Sequence, residues 1–135
     1  MIYECKYHVC WLTKYRYSIL TGAMGIRVRE LVRQIAAANE VEIITGVVAS
    51  DHVHVYVSIP PSLSVSKFAQ FVKGATFRKM QQEFESLRKR YWGQHVWARG
   101  YFVATAGNVT EEMIMEYIRK QGKNDSNGDE FKVVN

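Results

Sequence analysis

The stretch from Asp51 to Pro60 reads DHVHVYVSIP, in which polar and apolar side chains alternate. Successive side chains of a β-strand point to opposite faces, so this pattern predicts a strand with His52 and His54 on one face and valines on the other. Two neighbouring imidazoles can share one metal ion, and neutral imidazole is the commonest metal ligand in proteins. The alternative is a pair of surface histidines with no metal.

The flanking sequence supplies the other elements of one domain. In chain order, the patterns predict strand 2–12, helix 26–39, strand 41–49, the histidine strand, a long helix and strand 95–106. The long helix is expected to be capped by Ser62 or Ser64 and to have Phe68, Phe71 and Leu87 on its inner stripe. The last strand is expected to have a kink at Gly100. This order is typical of an α+β, ferredoxin-like split βαβ antiparallel sheet with two helices on one face. The valines would pack under the helices, which leaves the histidines on the uncovered face.

Composition narrows the class of protein. The 135 residues suit a single domain, and 18 Lys and Arg against 13 Asp and Glu give a net charge of +5, which suits a polyanionic partner but does not require one.

Cys5 and Cys10 would lie on opposite faces of the first strand, so no disulfide is expected. No leader and no apolar run near the roughly 20 residues of a membrane span is seen, which favours a cytoplasmic protein.

A final helix has no place in the basic ferredoxin-like fold. Asn108 and Glu111 resemble a capping box and Gly122 is a good C-terminal stop, so a helix is predicted at about 109–121. The domain would then occupy residues 1–122. The remainder, 123–135, is polar and is predicted to be a flexible tail.

Two residues of this helix extend the histidine site. Tyr117 and Gln121 are four residues apart and share a helix face, which offers a phenol and an amide oxygen to one point. Taken separately, such residues are more often a packing tyrosine and a solvated glutamine. With His52 and His54 they suggest an N₂O site for a divalent ion, with a nucleophile beside it.

Other side chains are candidates for contacts with this site or with nucleic acid. His8, on the first strand, is expected to share the open face with the histidine pair, whereas Asp51 is interpreted as a turn residue without a catalytic role. Phosphate contacts are predicted for Lys14, Arg16, Lys73, Arg78, Lys79 and Arg99, and base stacking for Tyr15, Tyr17, Trp92 and Trp97. The competing interpretation is that the charges are solvated and that the aromatic rings belong to a core or dimer interface.

Three segments carry a resemblance to a known family: YHVCWLTKYRY at 7–17, SDHVHVYVSIPPSLSVSKFAQFVKG at 50–74 and GYFVATAGNVTEEMIMEYIRKQG at 100–122. They resemble the single-tyrosine HUH transposases of small bacterial insertion sequences, the TnpA or IS200-like type, where HUH means His, hydrophobic residue, His. The resemblance implies that His52, His54 and Gln121 bind Mg²⁺ or Mn²⁺ and that Tyr117 is the nucleophile. By their chemistry, the imidazoles would also accept Zn²⁺, Ni²⁺ or Co²⁺.

The implied activity is cleavage and rejoining of single-stranded DNA at insertion-sequence ends through a 5′-phosphotyrosine intermediate. The resemblance also implies recognition of DNA hairpins, a homodimer in which active sites can be completed in trans, and a bacterial or archaeal source. No nucleotide cofactor is expected, because no nucleotide-binding loop is present. The alternatives are a domesticated, repeat-associated tyrosine transposase, a non-catalytic single-stranded nucleic-acid-binding ferredoxin-like module, and a small metal-binding dimer.

Overall fold

The part of the chain that the structure describes forms an antiparallel sheet with a parallel edge strand. A computed structural model describes residues 5–90, 95–105, 116 and 131–133. The elements are β1 (Lys6–Leu12), a short 3-10 turn (Lys14–Arg16), α1 (Gly22–Ala38), β2 (Glu42–Val48), β3 (His52–Ser58), α2 (Val65–Glu83), α3 (Glu85–Arg90), β4 (Phe102–Thr105) and β5 (Phe131–Val133). The strand order is β4-β1-β3-β2-β5, with antiparallel pairing among the first four strands. The predicted α+β, ferredoxin-like class is confirmed.

The valine face of β3 is the floor of the core. Val53, Val55 and Val57 are fully buried and belong to one hydrophobic cluster with Val28 of α1 and Phe68 of α2. Both helices therefore cover this face, and the alternation of β3 turns the histidines to the opposite face. The prediction from the DHVHVYVSIP pattern is confirmed in this respect.

The helix boundaries differ from the predicted ones in informative ways. Helix α1 starts at Gly22, four residues before the predicted start at Ile26. Helix α2 begins after Ser64, whose Oγ accepts a hydrogen bond from the Lys67 amide at 3.1 Å, so one of the two predicted caps is confirmed. Phe84 then interrupts the long predicted helix, because its extended backbone separates α2 from α3.

The placement of Phe71 on the inner stripe of α2 is wrong. This ring is 42% exposed, whereas Phe68, Val72 and Thr76 are buried. Each residue advances a helix by about 100°, so residues spaced by four form a stripe that Phe71 misses by roughly a third of a turn. Leu87 is buried as expected, although it lies on α3.

The approach to β4 is irregular. The chain makes an isolated bridge between Thr13 and Trp97, turns at Gly100 with φ of +77°, and enters β4 only at Phe102. The predicted kink at Gly100 is confirmed, and the strand is shorter than predicted. Lys73 of α2 fastens this turn, because its Nζ donates to the carbonyls of Ala98 and Gly100, each at 2.9 Å.

The end of the chain contributes to the sheet. Strand β5 pairs in parallel with β2, placing Gly46 opposite Phe131 and Val48 opposite Val133, and Val133 packs against the core cluster. The prediction of a flexible tail over 123–135 is therefore wrong for residues 131–133. A short segment that contains β-branched valines can form hydrogen bonds with the otherwise open edge of β2. The polar residues around this segment in the sequence hide its tendency to form a strand.

Gly25 shows how closely α1 approaches its neighbours, and it yields a stability prediction. A Cβ at this position would lie 2.7 Å from the Leu20 carbonyl oxygen and 2.8 Å from Val133 Cγ1. Gly25→Ala is therefore expected to lower the free energy of unfolding by about 1–3 kcal/mol. The measurement is chemical denaturation monitored by circular dichroism.

Gly74 provides the matched control for this substitution. It also lies within a helix, but an added Cβ would meet only the flexible end of Arg78 at 3.4 Å. Gly74→Ala is expected to raise the free energy of unfolding by about 0.5–1 kcal/mol, since alanine has the better helix propensity. Equal effects of the two substitutions would contradict the close packing at Gly25.

The two cysteines, Cys5 and Cys10, are free thiols, as their spacing predicts. Among the described residues, no helix combines the length and apolar character that crossing a bilayer requires.

Candidate metal centre

The register between β1 and β3 assembles the candidate site. His54 lies opposite Cys10 and His8 lies opposite Tyr56, so one face of this strand pair carries two histidines close together. His52 lies one pair further along the same face, opposite Leu12. Histidines from β1 and β3, which are far apart in sequence, therefore lie close together on one face of the sheet.

His52 is held by a buried carboxylate. Its Nδ1 lies 3.0 Å from Oδ1 of Asp51, and both side chains are almost completely inaccessible to solvent. With the proton on Nδ1 donated to the carboxylate, Nε2 carries the lone pair that a metal ion requires. The prediction that His52 lies on an uncovered face is wrong, because the strand start is buried.

Arg16 completes this arrangement from the turn after β1. Its Nε and Nη2 both donate to Oδ2 of Asp51, the first at 2.8 Å. Burial by itself raises the pKa of Asp51, but the hydrogen bonds from His52 and Arg16 outweigh it, and the pKa lies below its ordinary value. The carboxylate is therefore ionised at neutral pH and fixes the ring of His52 from behind.

The turn that delivers Arg16 has an unusual backbone. Tyr15 and Arg16 have φ values of 58° and 57°, a region that bulky residues rarely adopt. Thr13 closes the turn by donating from Oγ1 to the Tyr17 carbonyl at 2.8 Å, and the Thr13 amide donates to the Asp51 carbonyl at 2.9 Å. The turn is thereby tied to the beginning of β3.

His54 is paired with His8. The Nε2 atom of His54 lies 3.2 Å from Nδ1 of His8, and the His8 ring stacks on Tyr56 with centroids 4.4 Å apart and planes 16° apart. Burial, together with the neighbouring His8 and His52, lowers the pKa of His54 to about 3. Burial also lowers the pKa of His8, so both rings are neutral at physiological pH.

These donors fit a divalent ion of borderline hardness. A metal ion binds only unprotonated imidazole; the low pKa of His54 keeps that ring neutral, and the contact with Asp51 orients the ring of His52. Within the described part of the chain, no three His, Cys, Asp or Glu side chains converge on one point. Tyr117 and Gln121, the predicted nucleophile and third ligand, lie outside the described residues, as does the helix predicted at 109–121 apart from residue 116.

The predicted nucleic-acid contacts are distributed unevenly. Arg16 and Lys73 bind within the fold, to Asp51 and to backbone carbonyls respectively, whereas Arg78, Lys79 and Arg99 are exposed. Phosphate contacts by these residues and by Lys14 stay predictions.

The predicted stacking rings also fall into two groups. Trp97 is buried, and its indole Nε1 donates to Thr76 Oγ1 at 2.9 Å, so its assignment to base stacking is wrong. Tyr15 is 68% exposed and lies beside Tyr17, whose ring carries the Arg90 guanidinium carbon 4.0 Å above its centroid. Trp92 lies outside the described residues.

Sequence reasoning missed the parts that Asp51 and Arg16 play in this centre. Neighbouring residues of a regular strand point to opposite faces, so Asp51 and His52 would not be expected to touch. The bend before β3 brings them together, and Arg16 is 35 residues away in sequence. The available signal was the Asp-His pair at a strand start, since carboxylates commonly orient metal-binding histidines.

Fold and site together define a ferredoxin-like sheet carrying a paired-histidine centre, the class predicted from sequence. The family model described as "Transposase IS200 like" matches residues 1–121. The chain is 34% identical over 120 residues to the ISDra2 transposase TnpA of Deinococcus radiodurans, covering 89% of this chain and 86% of that protein. It is 31% identical over 131 residues to the transposase for insertion sequence element IS200 of Salmonella typhimurium, covering 97% and 86%.

Solved structures agree with these sequence matches. A crystal structure of a Deinococcus radiodurans R1 protein assigned as a transposase superposes with a TM-score of 0.79 at 31% identity, covering 90% of this chain and 93% of that one. A REP-associated tyrosine transposase bound to a REP hairpin shares the fold, with a TM-score of 0.62 at 14% identity over 90% of this chain and 69% of that one. The chain belongs to the IS200-like transposase family.

Proposed function

We propose that this transposase cleaves and rejoins single-stranded DNA at the ends of an insertion sequence, with Tyr117 as nucleophile and a divalent ion as cofactor. The observation that carries the proposal is the fixed imidazole of His52, oriented by Asp51 and Arg16 next to the neutral ring of His54. A buried carboxylate behind a histidine is a common support of catalytic metal ligands. A surface histidine pair without a function would not require it.

In the proposed reaction the Tyr117 oxygen attacks a backbone phosphorus. The new bond joins phosphorus to the tyrosine oxygen, and the bond to the 3′ oxygen breaks, so the products are a 5′-phosphotyrosine and a free 3′-hydroxyl. The phenol loses its proton and the leaving oxygen gains one. Because one phosphodiester replaces another, a 3′-hydroxyl can later attack the phosphotyrosine and rejoin the strand without nucleotide hydrolysis.

The residues proposed to hold the cofactor are His52, His54 and Gln121. When bound, Mg²⁺ or Mn²⁺ would act as a Lewis acid on the phosphate, which a phenol with an ordinary pKa near 10 needs at neutral pH. His52 and His54 would anchor this centre on the rigid middle of the sheet. Site assembly in trans within a homodimer is part of the proposal, since the tyrosine helix lies outside the basic ferredoxin-like fold.

The proposed DNA partner is single-stranded and carries a hairpin near the element end. Support comes from the exposed Tyr15 and Tyr17 rings with their neighbouring cations, which suit base stacking and phosphate contact. A related fold has been solved with a bound REP hairpin, which supports both hairpin recognition and the alternative of a repeat-associated transposase. The two alternatives differ in substrate: adduct formation with insertion-sequence ends supports the first, and adduct formation with repeat hairpins supports the second.

The proposal predicts a covalent adduct that depends on metal. The full chain is incubated with end-labelled single-stranded hairpin DNA and Mn²⁺ or Mg²⁺, then separated on a denaturing gel. A slow band carrying only the 5′-phosphate fragment is expected, and EDTA should remove it, because no ion then activates the phosphate. The control is the same oligonucleotide without its hairpin.

Two outcomes would contradict the proposal. An adduct that forms equally well in EDTA would refute the metal centre. DNA binding in a native gel with no adduct under any metal would favour the non-catalytic nucleic-acid-binding module.

A further inference from the structure

The turn after β1 presents two aromatic rings to solvent and an arginine to the interior. Tyr15 is 68% exposed and Tyr17 is 37% exposed, and their ring centroids lie 5.5 Å apart. Arg16, between them in sequence, points the other way and binds the buried Asp51. Aromatic side chains contribute most to stability when they are covered, so an exposed pair indicates a surface that contacts a partner.

The backbone of this turn adopts a conformation that its residues do not prefer. Tyr15 and Arg16 both have positive φ values, of 58° and 57°. Such strain persists where surrounding contacts impose it, and it is concentrated at functional sites. Here Thr13 imposes it, through its hydrogen bonds to the carbonyls of Tyr17 and Asp51. The strained backbone lets one short turn face both the solvent and the carboxylate behind His52.

Cations border the exposed rings. Lys14 Nζ lies 5.4 Å from the ring centroid of Tyr15, and the guanidinium carbon of Arg90 lies 4.0 Å from that of Tyr17. Arg90 ends α3, whose last turn consists of three consecutive cations, Arg88, Lys89 and Arg90. Sites that bind single-stranded nucleic acid have this composition, because bases stack on the rings and the cations contact the phosphates.

The geometry favours one part of the proposed DNA substrate. The bases of a hairpin stem are stacked on one another, whereas an unpaired flank offers its base faces to aromatic side chains. Only two side chains separate the turn from His52. Arg16 Nε lies 2.8 Å from Oδ2 of Asp51, and Oδ1 of Asp51 lies 3.0 Å from Nδ1 of His52. A strand held by this turn therefore lies beside the histidine centre.

We propose that the turn at 13–17 and Arg90 bind the unpaired DNA strand next to the scissile phosphate. One base stacks on Tyr15, and Lys14 and Arg90 contact the adjoining phosphates, while the hairpin stem binds elsewhere. This inference rests on the proposed function, which supplies a single-stranded substrate and its cleavage near His52. It assigns to the turn the selection of the phosphate that reaches the histidines.

The first test compares two DNA probes by fluorescence anisotropy in EDTA, with the full chain. The probes are a labelled oligothymidine of about 16 nucleotides and a labelled blunt-ended hairpin. Tyr15→Ala is expected to weaken oligothymidine binding about 5- to 100-fold and to leave hairpin binding unchanged. Tyr15→Phe keeps a stacking ring and should bind both probes as the unsubstituted chain does.

Phe71→Ala is the matched control, because it removes another exposed ring, on α2. It should leave oligothymidine binding unchanged. All variants are checked for folding by circular dichroism. Tyr15→Asn repeats the measurement if the alanine variant is misfolded, since asparagine tolerates a positive φ.

Cross-linking and salt dependence report the contacts themselves. Under ultraviolet light, an oligonucleotide that carries 5-iododeoxyuridine should cross-link to Tyr15, as located by mass spectrometry. Lys14→Gln and Arg90→Gln should each reduce the slope of log Kd against log salt concentration by about 0.7. Lys67→Gln, which removes an exposed cation of α2, should leave that slope unchanged.

The adduct assay tests the position of the strand. An abasic nucleotide is placed in turn at each position flanking the cleaved bond. With the unsubstituted chain, one position should slow adduct formation more than the others. At that position the abasic nucleotide should cause no further loss in Tyr15→Ala, because the stacking contact is already absent.

The outcomes separate this proposal from the proposed function. Unchanged oligothymidine binding in Tyr15→Ala, or equal losses with oligothymidine and hairpin, would overturn it, while a metal-dependent adduct would leave the proposed function in place. A change of Tyr15→Ala from dimer to monomer in size-exclusion chromatography would assign the ring to a subunit interface and would also overturn it. Oligothymidine binding through Tyr15 with no adduct under any metal would refute the proposed function, and with it the position beside a scissile phosphate.

Discussion

Tyr117→Phe is expected to abolish the covalent protein–DNA adduct, a loss of at least about a thousandfold in yield. The substitution removes only the phenolic oxygen, which is the atom proposed to form the bond to phosphorus. Hairpin binding in a native gel should persist, because the ring and the rest of the surface remain. The measurement is the denaturing-gel assay with Mn²⁺, performed with equal amounts of folded protein.

Tyr56 supplies the sharpest control for this prediction. It is the described tyrosine nearest the histidines, stacked on His8, and is therefore the rival nucleophile. Tyr56→Phe should retain the adduct, as should Tyr15→Phe at the exposed turn. If the adduct survives in Tyr117→Phe and disappears in Tyr56→Phe, the assignment of the nucleophile is wrong.

Asp51→Ala is expected to weaken both the fold and the metal centre. The carboxylate accepts hydrogen bonds from Arg16 and His52, and its removal leaves a largely buried guanidinium without its counterion. A change of this kind costs about 3 kcal/mol of unfolding free energy, which corresponds to a fall of roughly 10 °C in melting temperature. Without the acceptor at Nδ1, His52 also loses its fixed tautomer, and metal affinity should fall about 10–100-fold.

The exposed pair of Arg27 and Glu83 is the matched control for Asp51→Ala. Its Nε to Oε1 distance is 2.8 Å, the same as that from Arg16 Nε to Asp51 Oδ2, but the pair lies on the surface. Glu83→Ala should therefore change the melting temperature very little and leave metal affinity unchanged. Equal thermal shifts in the two variants would refute the structural role of Asp51.

Asp51→Asn distinguishes orientation from stability. The amide keeps the shape of the side chain and one acceptor oxygen, so it should lose less stability than alanine. Its amide nitrogen can donate to Nδ1 and favour the wrong tautomer of His52. Asp51→Asn should then lower the melting temperature only modestly while it lowers the metal affinity strongly. If metal affinity and melting temperature fall in proportion in the two variants, Asp51 acts only by stabilising the fold.

Much of the architecture could be predicted because it depends on local periodicity. The alternation from His52 to Ser58 separates a histidine face from a valine face whatever surrounds the strand. The cap at Ser64 and the turn at Gly100 likewise depend on intrinsic preferences of those residues. The family resemblance, carried by motifs in three segments, was confirmed by the match over residues 1–121.

The remaining features depend on distances between residues that are remote in sequence. Periodicity indicates the face of a side chain but not what covers it, so it could not show that His52 is buried. Arg16 looked like a free cation because its partner is 35 residues away and its turn has an atypical backbone. The edge strand at 131–133 was missed because only pairing with β2 orders it.

The sequence by itself determined the antiparallel strands of the sheet, its two faces and the family, since these follow from side-chain alternation and from motifs within short segments. Only the tertiary structure decided that Asp51 and Arg16 stand behind His52 and that His8 stands beside His54. Those contacts arise from strand register and from a bend, which set ångström-scale distances between separate segments. The paired histidines can thus be recognised in the sequence, whereas the contact of His52 with Asp51 and that of His54 with His8 arise only in the folded structure.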